Sequence, residues 1–371
     1  MRSLAVVGGG VIGLAVAWRA AEAGWSVTVI DPAVGRGASW VAGGMLAPLS
    51  EGWPGEHEPL EFGAASLARW PGFAARLAAA TGISVFVAER TLTVALDAAD
   101  AADLRTVAEF VGERGYDLRL LDRAGVREVQ PNLARTVRVG LLSVTEAAVD
   151  NRLVLDALRR CCAAAGVRVR AEAVADLGEL PHDRIVLAAG AASALLRPEL
   201  PVRPVKGEIL RLRHRPGVPP VPEHVVRARV HGRELYMVPR ADGIVVGATQ
   251  LEAGFDTAVT VAGVRDLIAD AEAILPALGE YELAEANAGS RPGTPDNLPL
   301  IGPLDERIVV ATGHGRNGIL DIPLTADAVL GVLAGEPLAE AKAADPHRFS
   351  TIRGRVTSER VTAATTSGGA L

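Results

Sequence analysis

The sequence predicts an α/β protein in which a parallel sheet is assembled from separated pieces of the chain and a mainly antiparallel domain is inserted between them. Three observations carry this prediction. The chain opens with a strand, a helix and a strand, four β-like runs divided by Pro and Gly fill residues 205–250, and a strand followed by a helix returns after residue 285. The first and last patterns are typical of a parallel sheet with covering helices, and the middle one of an antiparallel sheet.

Length and composition limit the classes of protein to which the chain can belong. Its 371 residues are typical of two domains. A composition with 49% hydrophobic and 22% charged residues excludes a disordered or collagen-like chain. The net charge of 38 − 44 = −6 gives no reason to expect nucleic acid or an anionic membrane as a partner. The two adjacent cysteines, Cys161 and Cys162, fit a reducing compartment. No apolar run is long enough for a membrane helix. We therefore expect a cytoplasmic protein without nucleic-acid or membrane partners.

The opening elements are apolar runs bounded by glycines. Residues 3–7 form a short run that ends in glycines, as a buried parallel strand does. Residues 11–23 are rich in Ala and Leu and are followed by Gly24, which is typical of a helix end. Residues 25–31 are β-branched and apolar and predict a second strand. Residues 35–55 contain many glycines with little periodicity, and we expect a functional loop there.

The rest of the chain supplies the covering helices and the inserted strands. The expected elements are helices at 58–80, 98–114, 150–165 and 261–275, short apolar runs near 84–96, strands at 167–170, 184–190, 205–213, 225–230, 234–238, 244–248 and 307–312, and a last helix that begins near residue 318. We expect the tail from about residue 345, which is rich in Ser, Thr, Gly and Arg, to be loose.

The strongest local motif is the glycine run at residues 8–13, which lies between the first strand and the first helix. Gly8 permits a tight turn, Gly10 lets a pyrophosphate approach the backbone, and Gly13 allows the helix and the strand to pack closely. The phosphates would then lie at the helix N-terminus, and Asp31, at the end of the second strand, is placed to bind an adenosine ribose. This motif predicts a dinucleotide site but does not separate FAD from NAD.

The loop that follows Asp31 favours a flavin. Residues 36–48 read RGASWVAGGMLAP and are small, glycine-rich and mostly uncharged. Such a loop lets the backbone approach a large flat ligand closely. Trp40, Met45 and Leu46 are more apolar than a surface loop would be. We therefore expect this loop to contact a cofactor.

Together these segments resemble the D-amino-acid-oxidase superfamily of FAD-dependent flavoproteins, and within it the glycine oxidases of the ThiO type. The resemblance extends from residue 3 to residue 335, and the segments that carry it are 8–13, 38–48, 204–208, 234–240, 289–296 and 311–320. It implies non-covalently bound FAD and oxidative deamination of a small amino acid with O2 reduced to H2O2. The imine produced from glycine would supply the thiazole of thiamine. Relatives are often homotetramers, so a homo-oligomer is implied as well.

The resemblance also implies a division into domains. It assigns residues 1–80, 140–205 and 285–345 to a discontinuous, Rossmann-like FAD-binding domain. Residues 81–139 and 206–284 are assigned to the inserted substrate domain, and residues 346–371 are left as a flexible tail.

Carried over position by position, the resemblance implies a set of cofactor contacts. Val11, Ile12 and Asp31 would meet the ADP half of FAD, and Val174, in a strand-like segment at 171–174, would use its backbone against the adenine. The full implied cofactor set is Gly8, Gly10, Val11, Ile12, Gly13, Asp31, Pro32, Ala38, Ser39, Gly43, Gly44, Met45, Val174, Gly313, His314, Gly315, Arg316, Asn317, Gly318 and Ile319.

Three side chains are implied for the substrate. Arg291, held by Pro292 and Gly293 just past an expected strand, would bind the amino-acid carboxylate, since a planar guanidinium grips a carboxylate with two parallel hydrogen bonds. Tyr236 would add a hydroxyl to the same carboxylate, and Arg316 would be a second cation on the substrate or the flavin side. Hydride transfer from the substrate Cα to flavin N5 depends mainly on orientation and requires no dedicated general base.

The glycine-rich segment 313–318 precedes an expected helix, so its amides could converge on one spot and stabilise a reduced, anionic flavin. Asp321 follows, where the family usually has an apolar residue. It would either face the flavin and lower its potential or cap the helix and point away, and we favour capping. His57, His182, His224 and His231 lack metal-ligand spacing, so no metal is expected.

Two alternatives remain open at this stage. The chain could be a D-amino-acid or sarcosine oxidase, or a dehydrogenase that passes electrons to a quinone. It could also be a flavin- or nucleotide-binding subunit of a larger complex that does not turn over. The substrate is less certain than the reaction class, because position 234 is Glu where some relatives carry His.

Overall fold

The computed structural model describes residues 2–230 and 232–349, and it has the predicted α/β architecture. In chain order the strands are β1 (Ser3–Val7), β2 (Ser26–Ile30), β3 (Met45–Leu46), β4 (Phe86–Ala88), β5 (Thr91–Ala95), β6 (Arg119–Leu121), β7 (Val139–Ser143), β8 (Ala147–Val149), β9 (Arg168–Arg170), β10 (Arg184–Leu187), β11 (Arg203–Arg213), β12 (Val225–Val230), β13 (Arg233–Arg240), β14 (Gly243–Gly247), β15 (Glu282–Gly293), β16 (Leu300–Pro303) and β17 (Ile308–Thr312). The α-helices are α1 (Val11–Glu22), α2 (Ala38–Val41), α3 (His57–Thr81), α4 (Ala98–Gly112), α5 (Arg123–Val129), α6 (Asn151–Ala164), α7 (Ser193–Leu196), α8 (Val261–Ile274) and α9 (Ile322–Ala334).

A six-stranded sheet forms the first layer of the fold, in the order β16-β17-β10-β1-β2-β9. Its strands are parallel except β16, which pairs antiparallel with β17. Val6 of the central strand β1 lies opposite Val186 on one side and Val29 on the other. Because both faces of such a sheet are covered, its strands are apolar runs rather than alternating ones. Helices α1, α6 and α9 pack together in the core beside this sheet. The predicted opening of strand, helix and strand is confirmed.

An eight-stranded sheet forms the second layer, in the order β15-β11-β14-β13-β12-β5-β7-β6. Its pairs are antiparallel except β12 with β5, as the prediction of a mainly antiparallel sheet requires. Helix α8 covers the sheet and buries Leu267, Ala271 and Ile274 in a second core. β7 and β15 extend past the domain limits expected at residues 139 and 284, and those limits stay a prediction.

The structure corrects four local expectations. The glycine-rich loop is not free of structure, since it contains α2 and strand β3, which pairs with β8. The last helix begins at Ile322 rather than near residue 318, because a short 3-10 turn at Gly315–Asn317 precedes it. No strand covers residues 171–174, because β9 already ends at Arg170. Arg291 lies inside β15 and not just past a strand.

The expectation of a flexible segment over residues 346–371 is wrong for its first residues. Pro346–Phe349 form a 3-10 turn, and the guanidinium of Arg348 donates to both carboxylate oxygens of Asp296 at 2.7 and 2.9 Å. Pro346 is buried against Gly302. This ion pair and this packing fix the turn on the body of the protein. Residues 350–371 lie outside the described part of the chain.

Over residues 2–230 and 232–349 no single helix is long and apolar enough to cross a membrane. Only Ile322–Ala334 taken together with Ala339–Phe349 satisfies such a test by length and composition, and the two are bent by 94°.

Candidate active site

A cavity of about 790 Å³ lies between the two large sheets. The carboxyl ends of β1 and β2 and the segment that follows β10 line one end of it, and β11, β13 and β15 line the other. The segment that follows β17 lines it as well. Ligands of open α/β sheets bind at the carboxyl ends of the strands. The cavity is therefore placed to hold an extended ligand whose far end reaches the antiparallel sheet.

The glycines at the start of α1 have the geometry that the motif predicts. Gly8 has φ +110°, and a Cβ there would lie 2.3 Å from the carbonyl oxygen of Ala188. A Cβ on Gly13 would lie 1.9 Å from the oxygen of Gly8, so Gly13 serves close packing and does not line the cavity. Gly10 lines the cavity, with only Ser39 Oγ within 4 Å of an added Cβ. This leaves room for a phosphate at the helix N-terminus.

Asp31 and Pro32 line the same end of the cavity. The Asp31 carboxylate accepts hydrogen bonds from the amides of Gly9 and Ala33, both at 2.6 Å. Each carboxylate oxygen can accept a second hydrogen bond, so the group can still bind a ribose hydroxyl. Val174 also lines this end of the cavity, although from an irregular segment.

The loop around α2 is held in place by side chains that sequence reasoning missed. The Asn151 amide donates to the carbonyl oxygens of Ser39 and Trp40, both at 2.9 Å. Arg240 donates from Nη2 to the oxygen of Gly43 at 2.8 Å. Both residues are buried. The backbone of this loop is therefore fixed by contacts formed within the chain.

All five residues that the resemblance assigned to the flavin from this loop line the cavity. They are Ala38, Ser39, Gly43, Gly44 and Met45. Gly44 has φ +82°, and a Cβ there would lie 2.0 Å from the oxygen of Val149, so only glycine fits.

Arg291 and Tyr236 lie together at the other end of the cavity. The guanidinium of Arg291 lies over Gly207, where an added Cβ would come within 2.2 Å of the Nη1 atom of Arg291. Nη1 donates a hydrogen bond to the carbonyl oxygen of Thr249 at 3.1 Å. The Tyr236 ring fills the space between Gly43 and Gly247. Burial raises the pKa of Tyr236, although Arg291 opposes this, so the phenol stays protonated and can donate a hydrogen bond.

Glu51 and Arg227 also line this end, and no sequence motif indicated either residue beyond its place near expected elements. Glu51 contacts Nη2 of Arg227 at 3.0 Å and Nε of Arg316 at 2.5 Å. Burial opposes its charged form, but Arg227, Arg316 and Arg291 together hold the pKa of Glu51 below its ordinary value. The Glu51 carboxylate in turn raises the pKa of Arg316. Both groups are thus charged at neutral pH.

The segment before α9 brings a run of predicted residues to the cavity. His314, Gly315, Arg316, Asn317, Gly318 and Ile319 line it, whereas Gly313 does not. Gly313 has φ +78° and packs against Thr294. Burial lowers the pKa of His314 to about 3, and its Nε2 lies 3.0 Å from Thr325 Oγ1. His314 is therefore a neutral, buried histidine. The predicted convergence of the amides on one spot stays a prediction.

Asp321 does not cap the helix as we expected. Its backbone is in the right-handed helical region, with φ −83° and ψ 0°, whereas a capping side chain needs an extended residue. The side chain is 2% exposed, does not line the cavity, and its Oδ1 has no partner among the described residues. Burial raises the pKa of Asp321 well above its ordinary value. Burial in the core thus favours the protonated form of this carboxyl.

The cysteines, and the described histidines other than His314, do not line the cavity. Cys161 and Cys162 are buried and unpaired in α6, and burial raises the pKa of Cys162 to about 12. Within the described ranges no group of three or more His, Cys, Asp or Glu side chains could hold a metal ion. His231, one of the histidines for which we expected no metal role, lies outside those ranges.

Comparison with known proteins places the chain among flavoenzymes. The DAO family, described as FAD dependent oxidoreductase, matches residues 3–330. Glycine oxidase from Pseudomonas putida is 32% identical over 91% of this chain and 96% of its own length. Bifunctional protein ThiO/ThiG from Synechocystis is also 32% identical, but the chain spans about half the length of that relative, 54%. The crystal structure of glycine oxidase from Geobacillus kaustophilus superimposes with a TM-score of 0.86 at 29% identity, covering 94% of this chain and 99% of that one.

Proposed function

The chain belongs to the FAD dependent oxidoreductase family, and we propose that it oxidises glycine, or another small primary or secondary amino acid, to the imine with O2 reduced to H2O2. FAD, when bound, accepts the hydride of the substrate Cα–H bond and passes two electrons to O2. The imine then takes up water and gives the 2-oxo acid, with release of ammonia from a primary amino acid or of an amine from a secondary one. Relatives named glycine oxidase support glycine as the substrate.

One observation carries the proposal. Three arginines line the end of the cavity farthest from the glycine motif: Arg227, Arg291 and Arg316. Arg227 and Arg316 share the Glu51 carboxylate, whereas Arg291 forms no ion pair with any residue of the described ranges. A half-buried guanidinium without an anionic partner is suited to bind the carboxylate of a ligand, because its donors are already desolvated and face the cavity.

The residues beside Arg291 would orient the substrate. Tyr236 contacts Arg291, and its protonated hydroxyl can donate to the same carboxylate. With the carboxylate held at two points, the Cα–H bond can be directed toward the ring of FAD, which we assign to the stretch lined by residues 38–45 and 314–319. The site needs no general base, because a substrate that enters with a neutral amine has no proton to lose before hydride transfer.

FAD fits the chain's own residues without a covalent link. The cavity is continuous from the Gly8 turn to Arg291, and at Gly10, which lines it, an added Cβ would have only Ser39 Oγ within 4 Å. Both cysteines are buried in α6 and do not line the cavity. We assign the pyrophosphate to Gly10 and the N-terminus of α1, and the ribose to Asp31.

The biological setting is part of the proposal. Relatives named as ThiO, including a putative thiamine biosynthesis oxidoreductase from Rhizobium etli, support a role in supplying the glycine imine for the thiazole of thiamine. Two buried, unpaired cysteines support a reducing, cytoplasmic location. A homotetramer is proposed from the family resemblance.

The test is the visible spectrum of the purified protein. We expect a yellow protein whose flavin absorbance is lost on anaerobic addition of glycine and returns when air is admitted. Retention of the oxidised spectrum with glycine, sarcosine, D-alanine and D-proline would refute turnover of small amino acids. Oxygen uptake with the same four compounds ranks them, and activity only with an artificial acceptor would exclude an oxidase.

A further inference from the structure

Glu51 lies at the substrate end of the cavity and is not needed to bind the substrate carboxylate. Its two carboxylate oxygens contact different arginines, Oε1 reaching Arg227 and Oε2 reaching Arg316. The Glu51 side chain is 9% exposed, as is that of Arg227. The three residues come from a loop, from strand β12 and from the turn before α9, so only the folded chain brings them together.

The Glu51 carboxylate is held in a fixed position. The neighbouring Glu146 carboxylate, which is fully buried, accepts hydrogen bonds from the amides of Leu49 and Ser50, both at 2.7 Å, and from Ser50 Oγ at 2.8 Å. Ser50 Oγ also accepts from Nη1 of Arg227 at 3.0 Å. The backbone just before Glu51 therefore cannot turn without breaking buried hydrogen bonds, which makes loss of the contact with Arg227 costly.

This arrangement pairs two of the three cavity arginines with one carboxylate and leaves the third without a carboxylate partner. Nη1 of Arg227 is occupied by Ser50 and Nη2 by Glu51, while Nε of Arg316 is occupied by the same carboxylate. Of these three arginines, Arg291 is the one without a carboxylate partner among the described residues. The carboxylate of a ligand can therefore pair with Arg291, whereas a second carboxylate near Arg227 or Arg316 would lie beside Glu51.

We infer that Glu51 restricts the substrate to amino acids that carry a single anionic group, because it pairs with both Arg227 and Arg316 and keeps a negative charge beside them. This inference rests on the proposed function, because it takes Arg291 as the group that binds the substrate carboxylate. An N- or Cα-substituent with its own carboxylate would have to displace Glu51 or lie beside it, and like charges in a desolvated site repel strongly. Glu51 is thus a specificity-determining residue. Neutral substituents, such as a methyl group on nitrogen, are not affected by it.

The inference is tested by binding, with two probes that differ only in one carboxylate. Methoxyacetate carries a single carboxylate, and diglycolate has the same ether skeleton with a carboxylate at both ends. Neither has an amino group or can be oxidised as an amine. Their dissociation constants are measured by calorimetry on the FAD-loaded full chain. We expect the wild type to bind methoxyacetate at least ~10-fold more tightly than diglycolate.

The variant Glu51→Gln should reverse this preference. It frees the donors of Arg227 and Arg316, so diglycolate affinity should rise at least ~10-fold while methoxyacetate stays within about threefold. Glu51→Asp keeps the charge and should retain the wild-type preference. Adding Arg316→Gln to Glu51→Gln should reduce the gain, because one freed guanidinium is removed. Glu56→Gln is the comparison variant, since Glu56 lies 3.8 Å from Arg316 and pairs with no other cavity arginine among the described residues, and its gain for diglycolate should stay below about threefold.

Three results would overturn the inference. These are equal binding of both probes by the wild type, no gain for diglycolate in Glu51→Gln, and a full gain that persists in the double variant. The wild-type comparison needs no substitution, so it remains decisive even if Glu51→Gln fails to fold. Weaker binding of sarcosine by Glu51→Gln without a gain for diglycolate would instead make Glu51 a partner of the substrate amine.

Anaerobic reduction by glycine, measured on the same wild-type preparation, reports on the proposed function separately. Reduction without a preference between the probes would overturn the inference alone. A preference between the probes without reduction would overturn the proposed function alone.

Discussion

Replacing Arg291 by leucine is the most direct test of how the site binds its substrate. Arg291 lies over Gly207 and donates one hydrogen bond to Thr249, which leaves its other donors for a carboxylate. Loss of one partner of a buried, charge-assisted pair costs about 2–5 kcal/mol. At about 1.4 kcal/mol per tenfold, the substrate KM should rise about 30- to 4000-fold. Because the cofactor loops are untouched, the variant should remain yellow.

The assay is steady-state oxygen uptake with glycine, combined with the ratio of flavin to protein absorbance. Arg291→Lys keeps the charge but loses the planar fork, so its KM should lie between those of wild type and Arg291→Leu. Arg213→Leu is the matched control. Arg213 lies on the same strand pair as Gly207, but it pairs at 2.7 Å with Glu282 on the exposed edge away from the cavity. A KM that changes less than about threefold in Arg291→Leu would refute the assignment.

Three other predictions concern the cofactor and the core. Gly10→Val should fold but fail to retain FAD, because the new side chain would occupy the position assigned to the phosphates. A fully flavinated variant would contradict the placement of the pyrophosphate at Gly10. Asn151→Ala should weaken FAD binding, because the carbonyls of Ser39 and Trp40 lose their hydrogen-bond donors. The affinity is measured by titration of the apoprotein with FAD, and an unchanged affinity would show that other contacts hold the loop. The pKa of Asp321 is raised in the folded protein, so the folded chain keeps this proton at pH values where the unfolded chain loses it. The free energy of unfolding should therefore fall as pH rises from about 4 toward the folded pKa, by at most ~1.4 kcal/mol per pH unit. The melting temperature of Asp321→Asn relative to that of the wild type should therefore be higher at pH 8 than at pH 5. The same difference at both pH values would show that the carboxyl is in contact with water.

Much of the fold was predictable because its signals are local. The glycine run at residues 8–13 must form a turn, since Gly8 has a positive φ and Gly13 has no room for a Cβ. Apolar runs such as 184–187 and 308–312 form strands because they are buried on both faces. The position of Arg291 in its motif placed it in the cavity, although the surrounding strand was longer than expected.

The incorrect expectations concerned residues whose behaviour depends on distant neighbours. Asp321 resembles a helix cap in the sequence, but the turn at residues 315–317 fixes its backbone in a helical conformation and buries its side chain. Residues 346–349 look like the start of a loose tail, yet Arg348 finds Asp296 52 positions earlier in the chain. Neither the burial of Asp321 nor the pairing of Arg348 with Asp296 can be recognised in a local pattern of polarity.

By itself the sequence determined the nucleotide turn, the succession of strands and helices along the chain and the family of the protein, because each is indicated by short segments whose residues are neighbours in the sequence. Only the tertiary structure decided which of the arginines is available to a ligand. Ser50, next to Glu51, lies 177 positions from Arg227, and Arg316 lies 265 positions from Glu51. An ion pair depends on the distance between charges in space. The motif singles out Arg291, but that Arg227 and Arg316 are paired with Glu51 while Arg291 is not can be recognised only once the carboxylates around them have been placed.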